Sequence, residues 1–540
     1  MTETATYSDG IKILKETTYD TNADESEIYS VGFATDVKVT TTRGDDQYVE
    51  RLLFAEHRRR QPIAAVRYVN GNQLERTEYA YDSHGNVTYK TVRPIDTSKG
   101  LYYTYTYTPD GLLSGETDPW GGAISYTYDA CGRVSGIQDH TGTTSVSYDP
   151  FGREVSRSFP DNTVRATTYG WSPDGSPGVY TVTTGETGEA TVSQSFDALG
   201  RTVRTCDTRF DGKIRKIDRT YDMHGNLARE SRPFTGPAAS QWTDYEYDSH
   251  DRLLSVSEPS GRYTHYTYNG AETVTSEDGV DIRRKYDSQG NLILSSDAAG
   301  DVTYNLAADG QPVTVICPGG IYYWFYYDQY RRQDFVIDAS AGIIRYRYDT
   351  WGNVNWRGAY GKDISYEYDD LNRLKKVVTP EFTTSYAYDG YSRLTSVSSD
   401  NGTSRTITYD TYGREASRLE KAVDGVWLLN DFTYADGNIS SIRYTTQSGL
   451  QLTEQHTYSQ GTLAEGRVNG ALAFKLNEED ADGLPTKIQT GSVTREYSFS
   501  HGLPEKRRAK CGNDSYALDH CYHFDTSTSN LTEREDLGNG

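Results

Sequence analysis

A hexapeptide, Tyr-Asp-x-x-Gly followed by Arg or Asn, recurs along most of the 540-residue chain and leaves few folds open to it. It is intact at Tyr81-Asp82 with Gly85, Tyr128-Asp129 with Gly132, Tyr148-Asp149 with Gly152, Tyr221-Asp222 with Gly225, Tyr286-Asp287 with Gly290, Tyr348-Asp349 with Gly352, and Tyr409-Asp410 with Gly413. Degenerate copies begin at Tyr107, Tyr169, Phe196, Tyr247, Tyr268, Tyr304, Tyr327, Tyr368, Tyr388, Tyr434, Tyr458, Leu476, Phe499 and Phe524. About 21 units thus follow one another at a mean spacing of about 22 residues, the signature of a repeat array rather than of several unrelated domains.

One unit reads as two strands and two turns. Residues ahead of the Asp alternate, as in Ile124-Ser125-Tyr126-Thr127-Tyr128 and Ile344-Arg345-Tyr346-Arg347-Tyr348, so a period of two places the rings on one face of a β-strand. Asp can hydrogen-bond the backbone ahead of it and Gly tolerates positive φ, which makes Asp-x-x-Gly a type I turn closing a hairpin. The return strand carries Arg or Asn and then an aliphatic residue, as in Arg252-Leu253 and Asn291-Leu292, and ends at a second turn near Gly142, Gly261, Gly300, Gly342 or Gly402. A lone hairpin is marginal in water, so the copies are expected to pair side by side into one long antiparallel sheet. Twist should coil so long a ribbon, and its opposite face of Ser, Thr, Glu and Arg should meet water. The predicted fold is all-β: a continuous spiralling sheet forming a hollow shell or part of one.

Composition agrees once tyrosine is counted. Leu, Ile, Val and Phe total 96 residues, which with a net charge of −22 would ordinarily suggest disorder, but 46 Tyr supply large rings whose hydroxyls remain hydrogen-bonded. The longest uncharged apolar run is Ile321 to Tyr327, too short to cross a bilayer, so no membrane span is expected. The start of the chain lacks the basic flank and apolar stretch of a signal peptide, so the expected location is a bacterial cytoplasm before export, or secretion without a cleavable signal. The acidic balance argues against nucleic acid as a partner. Five cysteines, at 131, 206, 317, 511 and 521, read as reduced packing residues.

Residues 1–66 do not keep the period and are expected to form a leading segment or cap, with a short helix over Gln47 to Glu56 whose Tyr48, Leu52 and Ala55 share a face. Residues 67–540 are the array. Phe524-Asp525 followed by Asn530 to Arg534 reads as half a repeat, so the wall is expected to be cut within it.

These units resemble the YD repeats of rearrangement-hotspot (RHS) proteins, a family that includes the cocoon subunits of insecticidal toxin complexes and the YD shell of teneurins. The resemblance covers roughly residues 68–540 and implies a hollow β-shell, which in bacterial members typically encloses a C-terminal toxin delivered by a secretion system. Cargo-carrying members end the shell with Asp-Pro-x-Gly-x-x-Asp-Gly, whose aspartates serve self-cleavage. Only the fragment Asp118-Pro119-Trp120-Gly121 approaches it here, early in a repeat turn, so no protease residues carry over.

Other candidate sites are weighed against plainer roles. Glu478, Asp480 and Asp482 alternate ahead of Gly483 as in a calcium loop, but the twelfth position is Gln489, and a solvated acidic turn is the expectation. Cys511, His520, Cys521 and His523 lack paired short spacing for zinc. Turn formation accounts for the repeat aspartates without catalysis. His57 to Arg60 is a basic run suited to a solvated helix end or an acidic partner. Ile321 to Tyr327 is apolar at every position and is expected to be a strand covered on both sides, or a wall strand touching a plug or cargo. No cofactor, metal or catalytic constellation is expected. The sequence therefore points to a structural, non-enzymatic shell whose partners are an enclosed toxin or plug and secretion components, the alternative being a surface adhesin or glycan-binding module.

Overall fold

The computed structural model describes residues 1–20, 33–58, 61–95, 98–173, 175–277, 279–512, 515–525, 528 and 530–537. They form forty-seven strands numbered in chain order, from β1 (Thr2–Thr6) to β47 (Asn530–Asp536), in a single antiparallel sheet. Each strand pairs with the one before and the one after it in sequence. Among the described residues there is no helix, and hence none long and apolar enough to cross a membrane.

The turns alternate between the two long edges of the ribbon. Along one edge lie the Asp-x-x-Gly turns, here called YD turns. Along the other lie the return turns. The YD turn has the geometry its residues dictate: the Gly85 N–H donates to the Asp82 carbonyl at 3.2 Å and the Asp82 N–H to the Asn86 carbonyl at 3.0 Å. Gly85 sits at φ +91°, and the paired strands slip register by one residue at Tyr81, the bulge that follows a type I turn in a three-residue hairpin. Gly132 and Gly352 are likewise at +76° and +90°, so Gly352→Val should cost about 1 kcal/mol or more through strain, readable as a lowered denaturation midpoint. An unchanged midpoint would remove that account. Where the glycine is replaced, Asp251, Arg331, Asn372 and Ser392 still adopt positive φ, so the turn is imposed by its hydrogen bonds as well as by glycine.

The helix expected over Gln47 to Glu56 is not formed. That stretch is strand β4 (Asp46–Arg58), paired with β3 (Ala34–Arg43) and β5 (Gln61–Val69), with Asp36 opposite Leu53 and Glu50 opposite Val69. The i, i+4, i+7 spacing of Tyr48, Leu52 and Ala55 was a weak helical signal. Ladders with β3 over Asp46–Leu53 and with β5 over Glu50–Arg58 pair most of the backbone of β4 and outweigh it. Of the basic run, Arg59 and Arg60 lie outside the described residues, while His57 pairs with Asp20 at 2.8 Å. At the other end β46 (Leu518–Asp525) pairs with β47 from His520 opposite Asp536 to Asp525 opposite Asn530, and β47 is exposed along its length.

The ribbon spirals through two coils, and the second packs edge-on against the first. Return turns of the first coil meet YD turns of the second, at sequence separations of 244–285 residues. Several of the most buried positions, including Ile11, Ala307, Ala308, Asp287 and Arg209, belong to turns of this seam.

Candidate functional site

Two arrays of side chains hold the molecule together. The first runs along the YD edge. Within each turn the Asp carboxylate accepts from the backbone N–H two and four residues on, as Asp129 does from Cys131 at 2.9 Å and Arg133 at 3.0 Å. Its second oxygen takes the side chain of the sixth residue: Arg133 Nε at 2.7 Å, Asn86 Nδ2 on Asp82 at 3.0 Å, Asn353 Nδ2 on Asp349 at 3.0 Å, Asn226 Nδ2 on Asp222 at 3.2 Å. Asp149, Asp287 and Asp410 bind Arg153, Asn291 and Arg414 in the same way. This explains why Arg or Asn fills that position in every intact copy.

The tyrosine ties one unit to the one before it. Its hydroxyl donates to the carbonyl just past the preceding turn: Tyr148 to Val134 at 2.8 Å, Tyr221 to Thr202 at 2.7 Å, Tyr348 to Gln333 at 2.7 Å, Tyr409 to Leu394 at 2.7 Å, with Tyr81 on Pro62 and Tyr128 on Leu113 doing likewise. Where the sixth residue is Arg, its guanidinium also stacks over the next tyrosine, as Arg133 over Tyr148 at 4.6 Å and Arg393 over Tyr409 at 4.4 Å. Asp, Arg and the following Tyr therefore interlock from hairpin to hairpin.

The Arg252 side chain, followed by its backbone N–H, pulls the Asp248 carboxyl down to about 2, and Asp129 and Asp82 are lowered through the side chains of Arg133 and Asn86. A carboxylate depressed in the folded state contributes stability that is complete above its unfolded value near 3.8 and is lost as pH falls through the folded value. We therefore expect stability to fall between about pH 4 and pH 2, with cooperative proton uptake, and Asp248→Asn to flatten that acid limb. An acid titration followed by circular dichroism in which the variant matches the parent would contradict this. Burial pushes the Tyr327 phenol up to about 12, keeping it a donor to Pro312 at all ordinary pH.

The second array is the seam. Asp9 accepts from the Ser288 N–H at 2.8 Å, and Asp46 from the Ala308 N–H at 2.8 Å and Arg331 Nη2 at 2.7 Å. Arg43 pairs with Asp287, Trp120 Nε1 donates to the Leu371 carbonyl at 2.9 Å, and His140 stacks on Tyr391 at 4.0 Å. Arg414 reaches Asp161 at 3.2 Å. Arg209 binds Glu479 at 2.8 Å with side chains 4% and 9% exposed, and Arg232 binds Asp482 at 2.7 Å. A cavity of about 330 Å³ between Phe159, Asp161, Glu189, Tyr412, Arg414 and Asp436 also lies in the seam.

The seam reassigns the acidic run at Glu478 to Gly483. It is a YD-type turn in which Asp480 accepts from the N–H groups of Asp482 and Leu484. Glu479 and Asp482 are neutralised by arginines of the first coil, so the turn is docked rather than solvated. Cys511, His520, Cys521 and His523 are not brought together: Cys511 donates to Ser492, and His520 faces Asp536 at 3.5 Å. His523 instead joins Glu533 and Glu535 in an exposed group on β46 and β47. The strand β28 (Ile321–Tyr327) is not covered on both sides. Tyr323, Phe325 and Tyr327 share the half-buried face, while Tyr322, Trp324 and Tyr326 are 46%, 42% and 42% exposed on the other, because the sheet is a single layer there.

Trp120, His140, Arg209 and Glu479 carry no signal in the repeat itself. Their partners lie more than 200 residues away, and a 22-residue period does not state how many hairpins complete a coil.

Comparison with known proteins agrees with this architecture. Residues 174–339 match the teneurin YD-shell family, and residues 107–144 and 368–404 match the RHS repeat. The chain is 25% identical over 383 residues to double-stranded DNA deaminase toxin A of Burkholderia cenocepacia, covering 68% of this chain and 23% of that protein. It is 26% identical over 305 residues to the tRNA3(Ser)-specific nuclease WapA of Bacillus spizizenii, covering 49% of this chain and 12% of that one. Among solved structures, TcdB2-TccC3 superposes with a TM-score of 0.67 at 12% identity, covering 98% of this chain and 39% of the other. The Tc holotoxin pore of Photorhabdus luminescens gives 0.51 at 11% identity, covering 98% and 43%. The chain thus spans less than half the length of each of these relatives and structures. These matches lie on one uninterrupted ladder of hairpins, so residues 107–144, 174–339 and 368–404 are similar to RHS repeats and the teneurin YD shell, and the sheet has a fold of the YD-shell kind.

Proposed function

We propose that this chain is a length of shell wall that encloses a toxin polypeptide and performs no chemistry of its own. The observation that supports the reading is the seam: successive coils joined by Arg–carboxylate pairs, with Arg209–Glu479 buried, suit a wall that excludes proteases and solvent-borne partners from what it surrounds. The toxin and nuclease names of the sequence relatives support a polypeptide cargo, and the repeat aspartates, each saturated by its own turn, are unsuited to acid–base catalysis. In this reading residues 1–66 lead the wall, since their Asp9, Arg43 and Asp46 anchor the first coil on the second. Cargo or plug and secretion components are the partners. Limited proteolysis of the protein isolated from its source, followed by mass spectrometry, is expected to yield a protected polypeptide in addition to the wall. Digestion of all other polypeptide at the rate of free chain would overturn the reading.

A glycan-binding surface is the second reading, favoured by the exposed row Tyr322, Trp324 and Tyr326, whose rings could stack on sugars. Retention on a glycan array that Trp324→Ser abolishes would support it over containment alone.

A further inference from the structure

The third residue of each Asp-x-x-Gly turn behaves differently in the two coils. In five turns of the second coil it is Tyr330, Trp351, Leu371, Tyr391 or Tyr412, at or beside the seam: Leu371 receives Trp120, Tyr391 stacks on His140, and Tyr412 lines the cavity beside Asp161. In the first coil the same position holds Phe151 and Leu199, 84% and 77% exposed, with Met223 at 95% one residue earlier in its turn. Other first-coil turns carry His84, Asp110, Cys131, His224 and His250 there, so these three large apolar side chains stand in water among polar neighbours. They occupy the part of the turn that meets the seam in the second coil.

The charges match as well. Arg414 uses Nε for its own Asp410 and Nη1 for Asp161 across the seam. Arg133, Arg153 and Arg201 make the same Nε bond to their own Asp, and among the described residues no acid of another coil stands opposite them. The complementary elements are present on the far side of the same molecule. Return turns of the second coil carry Asp338, Asp400 and Asp424, as those of the first carry Asp9, Asp46 and Asp161, and they expose Tyr360, at 79%, where the first coil presents Trp120.

We propose that the first-coil YD edge is a docking surface for the second-coil return edge of another copy of this chain, so that copies stack head to tail and continue the spiral seam. Such a contact joins two different edges and does not close on itself, so it extends without a fixed number of subunits.

The test uses two variants that melt like the parent: Phe151→Ser with Leu199→Ser, which disables the YD edge, and Tyr360→Ser with Asp400→Ser, which disables the return edge. Sedimentation velocity over a wide concentration range should show the parent growing in mass and each variant associating about tenfold or more weakly. Mixing the two variants should restore a two-chain species, because each retains the edge the other lacks. Trp324→Ser, on the sheet face, should associate like the parent. A parent that stays monomeric throughout, or variants whose mixture is no heavier than either alone, would overturn the proposal.

Discussion

Replacing Arg209 by Ala is expected to lower the stability of the coiled ribbon by about 3–5 kcal/mol, the cost of leaving the buried Glu479 carboxylate without its partner. Arg209 makes both an ion pair with the Glu479 side chain and a 2.6 Å hydrogen bond to its backbone carbonyl, so the change also orphans that carbonyl. The loss should be local before it is global, since a repeat array can open in part. Hydrogen exchange should accelerate first in the turns at 209–213 and 480–484, with the denaturation midpoint falling as a consequence. Replacing both partners, Arg209→Leu with Glu479→Leu, should recover much of the loss, because the desolvation penalty disappears with the charges. Equal exchange rates in parent and Arg209→Ala would mean that the seam is held elsewhere.

Gly121→Ala should be strongly destabilising. Gly121 has φ +88°, and a Cβ there would fall inside the van der Waals radius of the Gly390 carbonyl oxygen of the second coil. Backbone cannot swing away as a side chain can, so the coils must separate locally, at a cost of about 1–3 kcal/mol beyond the positive-φ strain. By contrast Gly111→Ala, at φ +80° in a first-coil YD turn with open space around it, pays strain alone. Comparing the two melts isolates the seam contribution. Similar midpoints for both variants would show that the coils do not approach as closely as Gly121 requires.

The repeat made the hairpins legible because everything in one unit is local. Asp82, Gly85 and Asn86 lie within five residues, and the register of Tyr148 on Val134 spans fourteen, so period, turn chemistry and pairing can be read from any one copy. The sixth position is Arg or Asn in every intact copy, though its bond to the Asp arises only once the turn closes and its stacking on the next tyrosine only once neighbouring hairpins pair. The misread elements share one cause. Gln47 to Glu56 has too few residues for its faint helical pattern to compete with ladders from both neighbours. Ile321 to Tyr327 was expected to be covered because it is apolar on both faces, but coverage depends on what lies above a sheet, which no strand encodes.

By itself the sequence determined the unit: an antiparallel hairpin with its turn, its tyrosine face and its order along the ribbon, all fixed by interactions within about 22 residues. Tertiary structure decided where the ribbon meets itself. Twist per strand accumulates over some dozen hairpins before an edge returns to an edge, and a small change in that twist would move Arg209 from Glu479 to a neighbouring turn. Contacts made at separations of 244–285 residues leave no periodic trace, so the acidic turn at Asp480 and the basic residues at Arg209 and Arg232 looked like unrelated surface charges until the coil brought them together.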